Sequence, residues 1–160
     1  MKSLMLFLSC FATVMLYGQQ DTAYRNRVEH FIAQIERSPA LIKHTVKQKD
    51  GTCHYWLYKS RLFKIEKHGS EKTPENHIIE KDYQYYLDRG KLIRAYEREL
   101  LLVNGNREDV NVWSATTYFK SNRLRYITSL GHGKTEDEEY DMEKETLKYF
   151  QELKTLLQLQ

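Results

Sequence analysis

The sequence predicts an α+β domain: an antiparallel meander sheet of about seven strands, built from three repeated β-hairpins and packed with an N-terminal and a C-terminal amphipathic helix. One observation predicts the sheet. An eleven-residue pattern occurs three times, as YWLYKSRLFKI at 55–65, YYLDRGKLIRA at 85–95 and TYFKSNRLRYI at 117–127. Each copy carries a large apolar residue (Leu57, Leu87, Phe119), two free positions and a small turn former (Ser60, Gly90, Asn122). A basic residue (Arg61, Lys91, Arg123) and a leucine (Leu62, Leu92, Leu124) follow. Strand, tight turn, strand is the physical meaning of such a unit, and its recurrence makes the hairpin the building block. The second observation is apolar residues at helical spacing on both flanks.

The first element is not structural. Lys2 precedes an apolar run from Leu4 to Leu16, broken only by Ser9 and Thr13, and Gly18, Gln19 and Gln20 give a polar exit. That is the pattern of a secretory signal peptide, here residues 1–19, leaving a single α+β domain over 20–160. The run is too short for a membrane span. The expected location is therefore periplasmic or secreted. Acylation at Cys10, in Phe7-Leu8-Ser9-Cys10, is a competing reading, weakened because the apolar run continues from Phe11 to Leu16 where a lipoprotein turns polar. Losing Lys2 leaves 24 basic against 22 acidic residues, a charge of +2 that argues against both nucleic-acid binding and disorder. Cys53 is then the sole thiol, so the domain rests on its core without a disulfide.

Residues 21–37 form a helix, with Tyr24, Val28, Phe31, Ile32 and Ile35 on one stripe, Asp21 as N-cap and Ser38-Pro39 as terminator. Strands follow near 42–48, 52–57, 61–67, 78–87, 91–103, 110–119 and 123–129. Asp50-Gly51 reads as the first two-residue turn, opposing Val46 to Tyr55 and His44 to Leu57. A polar loop is expected over His68–Pro74. In the middle hairpin, a plain two-residue turn at Arg89-Gly90 would oppose Glu80 to Glu99 and Asp82 to Glu97, which like charges forbid. A three-residue loop, Asp88-Arg89-Gly90, opposes Lys81 to Glu97 and Glu80 to Arg98 instead. Short connections make sequence neighbours spatial neighbours. Thr135 and Glu138 read as a capping box for the last helix, whose stripe is Leu147, Phe150, Leu153 and Leu157.

Catalytic chemistry finds little support. Cys53 and His54 point to opposite faces of a strand, so they form no nucleophile–base pair. The six histidines lack metal-ligand spacing, and there is no phosphate loop or nucleophile elbow. No catalytic residue, metal or cofactor is expected. The carboxylates at 80–82 and 97–99 have cross-strand basic partners, and those at 136–139 suit a helix N-terminus. Basic residues instead recur at the hairpin tips. A meander places the three repeat turns along one edge, which collects Lys59, Arg61, Arg89, Lys91, Lys120 and Arg123 as candidate binding residues. Twelve tyrosines and two tryptophans supply a second candidate, an aromatic sheet face.

The unit Asp88-Arg89-Gly90-Lys91-Leu92 resembles the aromatic–turn–Gly–Lys–Leu unit of MORN-type repeats, over some 33 residues in the three copies, and no function is carried over from it. The leader and the Tyr/Lys-rich composition resemble small exported proteins of Gram-negative bacteria. The expectation is an exported, non-enzymatic bacterial binding protein whose partner is an anionic envelope component or an acidic protein. The alternative is a periplasmic carrier of an apolar or lipid-like ligand.

Overall fold

The computed structural model describes residues 22–106 and 110–159. The expected leader at 1–19, Cys10 and the expected Asp21 cap lie outside the described residues. The chain divides into two units, Met1–Arg37 and Ser38–Gln160. In the first, helix α1 spans 22–37 and ends just before Ser38-Pro39. Tyr24, Val28, Phe31, Ile32 and Ile35 recur along it at the 3.6-residue period, and the Arg27 guanidinium stands 6.0 Å from the Tyr24 ring centre.

The second unit is a seven-stranded antiparallel meander followed by a helix, so the fold is α+β. Its strands are β1 (Ile42–Gln48), β2 (Gly51–Tyr58), β3 (Arg61–Lys72), β4 (Ile78–Asp88), β5 (Lys91–Leu102), β6 (Val110–Lys120) and β7 (Arg123–Leu130). They hydrogen-bond in sequence order, β1 to β7, with no crossover. The helix α2 spans Met142–Leu156.

The three repeats are three equivalent hairpins. Their two-residue turns are Lys59-Ser60 (φ 46° and 65°), Arg89-Gly90 (50° and 74°) and Ser121-Asn122 (55° and 58°). Both residues of each turn are left-handed, the I′ geometry whose twist matches the flanking strands. Each hairpin then bulges at the same place. Leu57 opposes Leu62, Leu87 opposes Leu92 and Phe119 opposes Leu124, and one residue further on Trp56 opposes Lys64, Tyr86 opposes Arg94 and Tyr118 opposes Tyr126.

That bulge corrects the register expected for the middle hairpin. The turn is two-residue, not three, and the extra residue sits in β5 at Ile93. Asp82 therefore opposes Arg98, Lys81 opposes Glu99 and Tyr83 opposes Glu97. Like charges are avoided, as the charge argument required, but by a shift in the opposite direction. The first turn is also displaced: it is Lys49-Asp50, so His44 opposes Tyr55 and Val46 opposes Cys53. The Asp50 carboxylate accepts from Lys67 Nζ at 2.7 Å and its carbonyl from Ser70 N at 3.1 Å, which ties this turn to β3. Most of the polar run expected as a loop is strand: residues 68–72 belong to β3, and only its Thr73 and Pro74 lie in the connection. β3 continues to Lys72, paired with β4 as far as Ile78, and Lys81 bridges Glu71 at 2.7 Å.

One sheet face packs on α2. Cys53, Ile65, Tyr85, Leu87, Leu92, Ala95 and Phe119 are buried in one cluster with Phe150, Leu153 and Leu157. The helix starts later than the sequence pattern predicts. Asp141 caps it, accepting from Lys144 N at 3.0 Å, and Lys134–Glu136 form only a 3-10 turn. Thr135 is otherwise engaged: its hydroxyl accepts from the Trp113 indole N–H at 3.1 Å. Gly133 lies so close to the Trp113 ring that a Cβ there would sit 2.6 Å from Cγ. Residues 131–141 thus form a strap fixed over Trp113.

Candidate functional site

Two features of the second unit carry chemistry: the end of the sheet holding the repeat turns, and a cleft between the sheet and α2. At the sheet end, the meander brings Lys59, Arg61, Arg89, Lys91, Lys120 and Arg123 onto neighbouring tips. Alternate strands are about 10 Å apart. Arg61 on the first tip reaches Asp88 on the second, with Nη2–Oδ1 at 3.0 Å. On the third tip Arg123 pairs with Glu143 of α2 at 3.0 Å, and the other Glu143 oxygen accepts from Leu124 N at 2.8 Å. The Lys59 ammonium lies 5.3 Å from the Tyr58 ring centre. Among the described residues no carboxylate pairs with Lys59, Arg89 or Lys91, and all three are exposed.

The aromatic face opposite α2 holds cations of its own. The Lys64 ammonium is 4.7 Å from the Trp56 ring centre and 5.3 Å from that of Tyr86, and is bridged to Glu66 at 2.6 Å. The Arg94 guanidinium is 5.5 Å from the Tyr86 ring centre. These rings are engaged within the fold.

The cleft was not foreseen. It measures about 210 Å³ and is lined by Tyr83 and Glu97 from the sheet, Lys134 and Tyr140 from the strap, and Glu145, Lys148, Tyr149 and Glu152 from α2. Tyr83 and Tyr149 lie with ring centres 4.7 Å apart. Lys134 Nζ bridges Glu99 at 2.6 Å and stands 5.3 Å from the Trp113 ring centre and 5.6 Å from that of Tyr140. Burial pushes the Tyr140 phenol up to about 12, and that of Tyr83 higher still, so both keep their protons at neutral pH.

Glu97 is the unusual member. It is 4 % exposed, and the Thr146 hydroxyl donates to its Oε1 at 3.1 Å. Among the described residues no cation pairs with it. Burial raises its carboxyl above the ordinary range, against the lowering charge of Lys134 and the Thr146 hydrogen bond. The folded state therefore binds this proton more readily than the unfolded chain, and ionisation weakens the fold as pH rises from the ordinary carboxyl range through the raised folded value. Glu97→Gln should match the wild type near pH 4 and become progressively more stable than it towards pH 8, by urea midpoints. A difference that does not change with pH would show that Glu97 titrates as it does in the unfolded chain.

The sequence pattern hid Glu97 because the shifted register opposed it to Lys81. With the bulge in place it faces Tyr83 on the helix side of the sheet. Cys53 is fully buried and burial lifts its thiol to about 11, the setting of an inert core residue. Among the described residues no group of three or more His, Cys, Asp or Glu side chains is placed to hold a metal ion, and no helix is long and apolar enough to cross a membrane. No family model, curated protein or solved structure matches the chain.

Proposed function

We propose that the protein is an exported bacterial binding protein without enzymatic activity, which uses the basic hairpin edge to hold an anionic envelope component. The observation that supports this most is the triple equivalence of the turns: three I′ tips at one end of the sheet, each with cations, near enough for Arg61 to touch the next tip. Tip spacing of about 10 Å is comparable to the Debye length at physiological salt, so the charges act together. The phosphates of a lipid surface or an acidic glycan match such a row. The reading of 1–19 as an export signal sets the compartment.

Two observations favour this over the carrier of an apolar ligand. The core between sheet and α2 is filled, with Tyr85, Phe119, Ile65 and Leu87 fully buried. The cleft beside it is lined by charged groups and tyrosines and is smaller than the roughly 300–1,000 Å³ usual for drug-sized ligands.

The test uses Lys59, Arg89 and Lys91, the exposed tip cations that pair with no carboxylate among the described residues. Wild-type protein should be retained on heparin and on phosphatidylglycerol vesicles at about 0.1 M salt and released well before 1 M, where the Debye length falls to about 3 Å. A Lys59→Glu, Arg89→Glu, Lys91→Glu triple variant should pass through unretained, with an unchanged unfolding midpoint. Equal elution of the two proteins would reduce these cations to guards against aggregation.

A further inference from the structure

We propose that the cleft between β4, β5, the strap and α2 is a binding site for a small primary amine in its ammonium form, anchored by Glu97. This assignment stands apart from the basic edge, whose ligand has the opposite charge.

The carboxylate of Glu97, a residue only 4 % exposed, needs either a proton or a cation with several donors, because a single hydroxyl does not replace its hydration. The two lysines lining the cleft are committed elsewhere. Lys134 is held by Glu99 at 2.6 Å, and Lys148 lies 3.7 Å from Glu145. Glu152, on the exposed side of α2, also has no cation among the described residues. Taken together, the lining has more carboxylate than cation and its surplus lies at Glu97 and Glu152.

The walls suit the same ligand. Tyr83, Tyr140 and Tyr149 bring aromatic rings that attract cations, and the protonated hydroxyls of Tyr83 and Tyr140 can accept hydrogen bonds, that of Tyr149 being engaged by Lys67. The fold already places ammonium groups at these rings: Lys134 Nζ is 5.6 Å from the Tyr140 ring centre and Lys67 Nζ 5.8 Å from that of Tyr149. Both of those ammoniums have carboxylates of their own in Glu99 and Asp50. A ligand ammonium would meet the remaining carboxylate, Glu97, with the same ring chemistry. Three N–H donors distinguish a primary ammonium from a quaternary one, and a carboxylate with hydroxyl neighbours rewards donors. The volume, about 210 Å³, limits the ligand to a few heavy atoms beyond the amine.

The test is an NMR titration at pH 7.5 with ethanolamine, with ethylene glycol, acetate and choline as comparison probes. Ethanolamine should give saturable shifts at the Thr146, Tyr140 and Tyr149 amides and the Trp113 indole N–H. Ethylene glycol and acetate should leave these signals in place, and choline should bind several-fold more weakly. Glu97→Gln keeps the side-chain size and an oxygen for Thr146 and removes only the charge, and should cost at least tenfold in ethanolamine affinity. Glu152→Gln, an exposed change that leaves the core untouched, should cost less than Glu97→Gln but more than twofold. Equal shifts from ethylene glycol, no saturable ethanolamine binding, or a folded Glu97→Gln variant binding within twofold of wild type would each overturn the site. Choline binding as tightly as ethanolamine would overturn the primary-amine assignment. Heparin retention, measured on the same samples, should be unaffected by either glutamine variant, so failure here is distinguishable from failure of the edge.

Discussion

Replacing Phe150 by alanine should cost about 3–5 kcal/mol, the usual range for deleting a buried phenylalanine. Phe150 is 6 % exposed on α2, its ring centre is 5.6 Å from that of Tyr85, and it shares one cluster with Leu87, Leu92 and Phe119. The effect is large because Phe150 and Leu153 carry the seam between α2 and the sheet face they cover. Domains of this size have about 5–15 kcal/mol of total stability, so the loss removes a large share of it. Leu156→Ala, one turn and a half further on and 57 % exposed, should change stability by less than about 0.5 kcal/mol. Chemical denaturation of the two variants checks the contrast. A Phe150→Ala loss below about 1 kcal/mol would mean that α2 does not seal the sheet.

The success of the sequence reading is confined to what period-two patterning and turn chemistry encode. Aromatic and β-branched alternation marked all seven strands, and Ser60, Gly90 and Asn122 marked equivalent left-handed turn positions. Short connections then left the meander as the natural order. Register was harder. A bulge after the second residue pair beyond each turn leaves the hydrophobic pattern intact while changing the register, so Glu97, expected opposite Lys81, faces Tyr83 and is buried. The cleft was illegible for the same reason, and because its strap residues are placed by tertiary contacts. Thr135 has the sequence of an N-cap, yet its hydroxyl serves Trp113, and Asp141 caps α2 instead. The six edge cations were legible as a row, since topology alone assembles them. The carboxylates that pair with Arg61 and Arg123, Asp88 and Glu143, come from the neighbouring tip and from α2, and nothing local announces either contact.

Gly131→Ala should be the more damaging of two changes at glycines with nearly the same backbone angle. Gly131 has φ 81° and Gly90 φ 74°, so each substitution forces an L-residue into the left-handed region, at about 1 kcal/mol. The surroundings differ completely. A Cβ at Gly90 meets nothing within 4 Å, whereas at Gly131 it would lie 1.9 Å from the Val112 carbonyl oxygen and 3.0 Å from its carbon. Both obstacles are backbone of a strand in the ladder, so they cannot swing aside, and the end of β7 must move. Gly90→Ala should therefore cost about 1 kcal/mol and Gly131→Ala roughly 3 kcal/mol. The second loss has a local signature. Gly131 begins the strap that fixes Thr135 and Lys134 against Trp113, so its displacement should shift the Trp113 indole N–H resonance and weaken ethanolamine binding in the cleft. Gly90→Ala, at the β4–β5 tip at the opposite end of the sheet from the strap, should leave both signals where they are. If the two alanine variants prove equally stable and leave Trp113 unchanged, the strap does not approach β6 as closely as the structure places it.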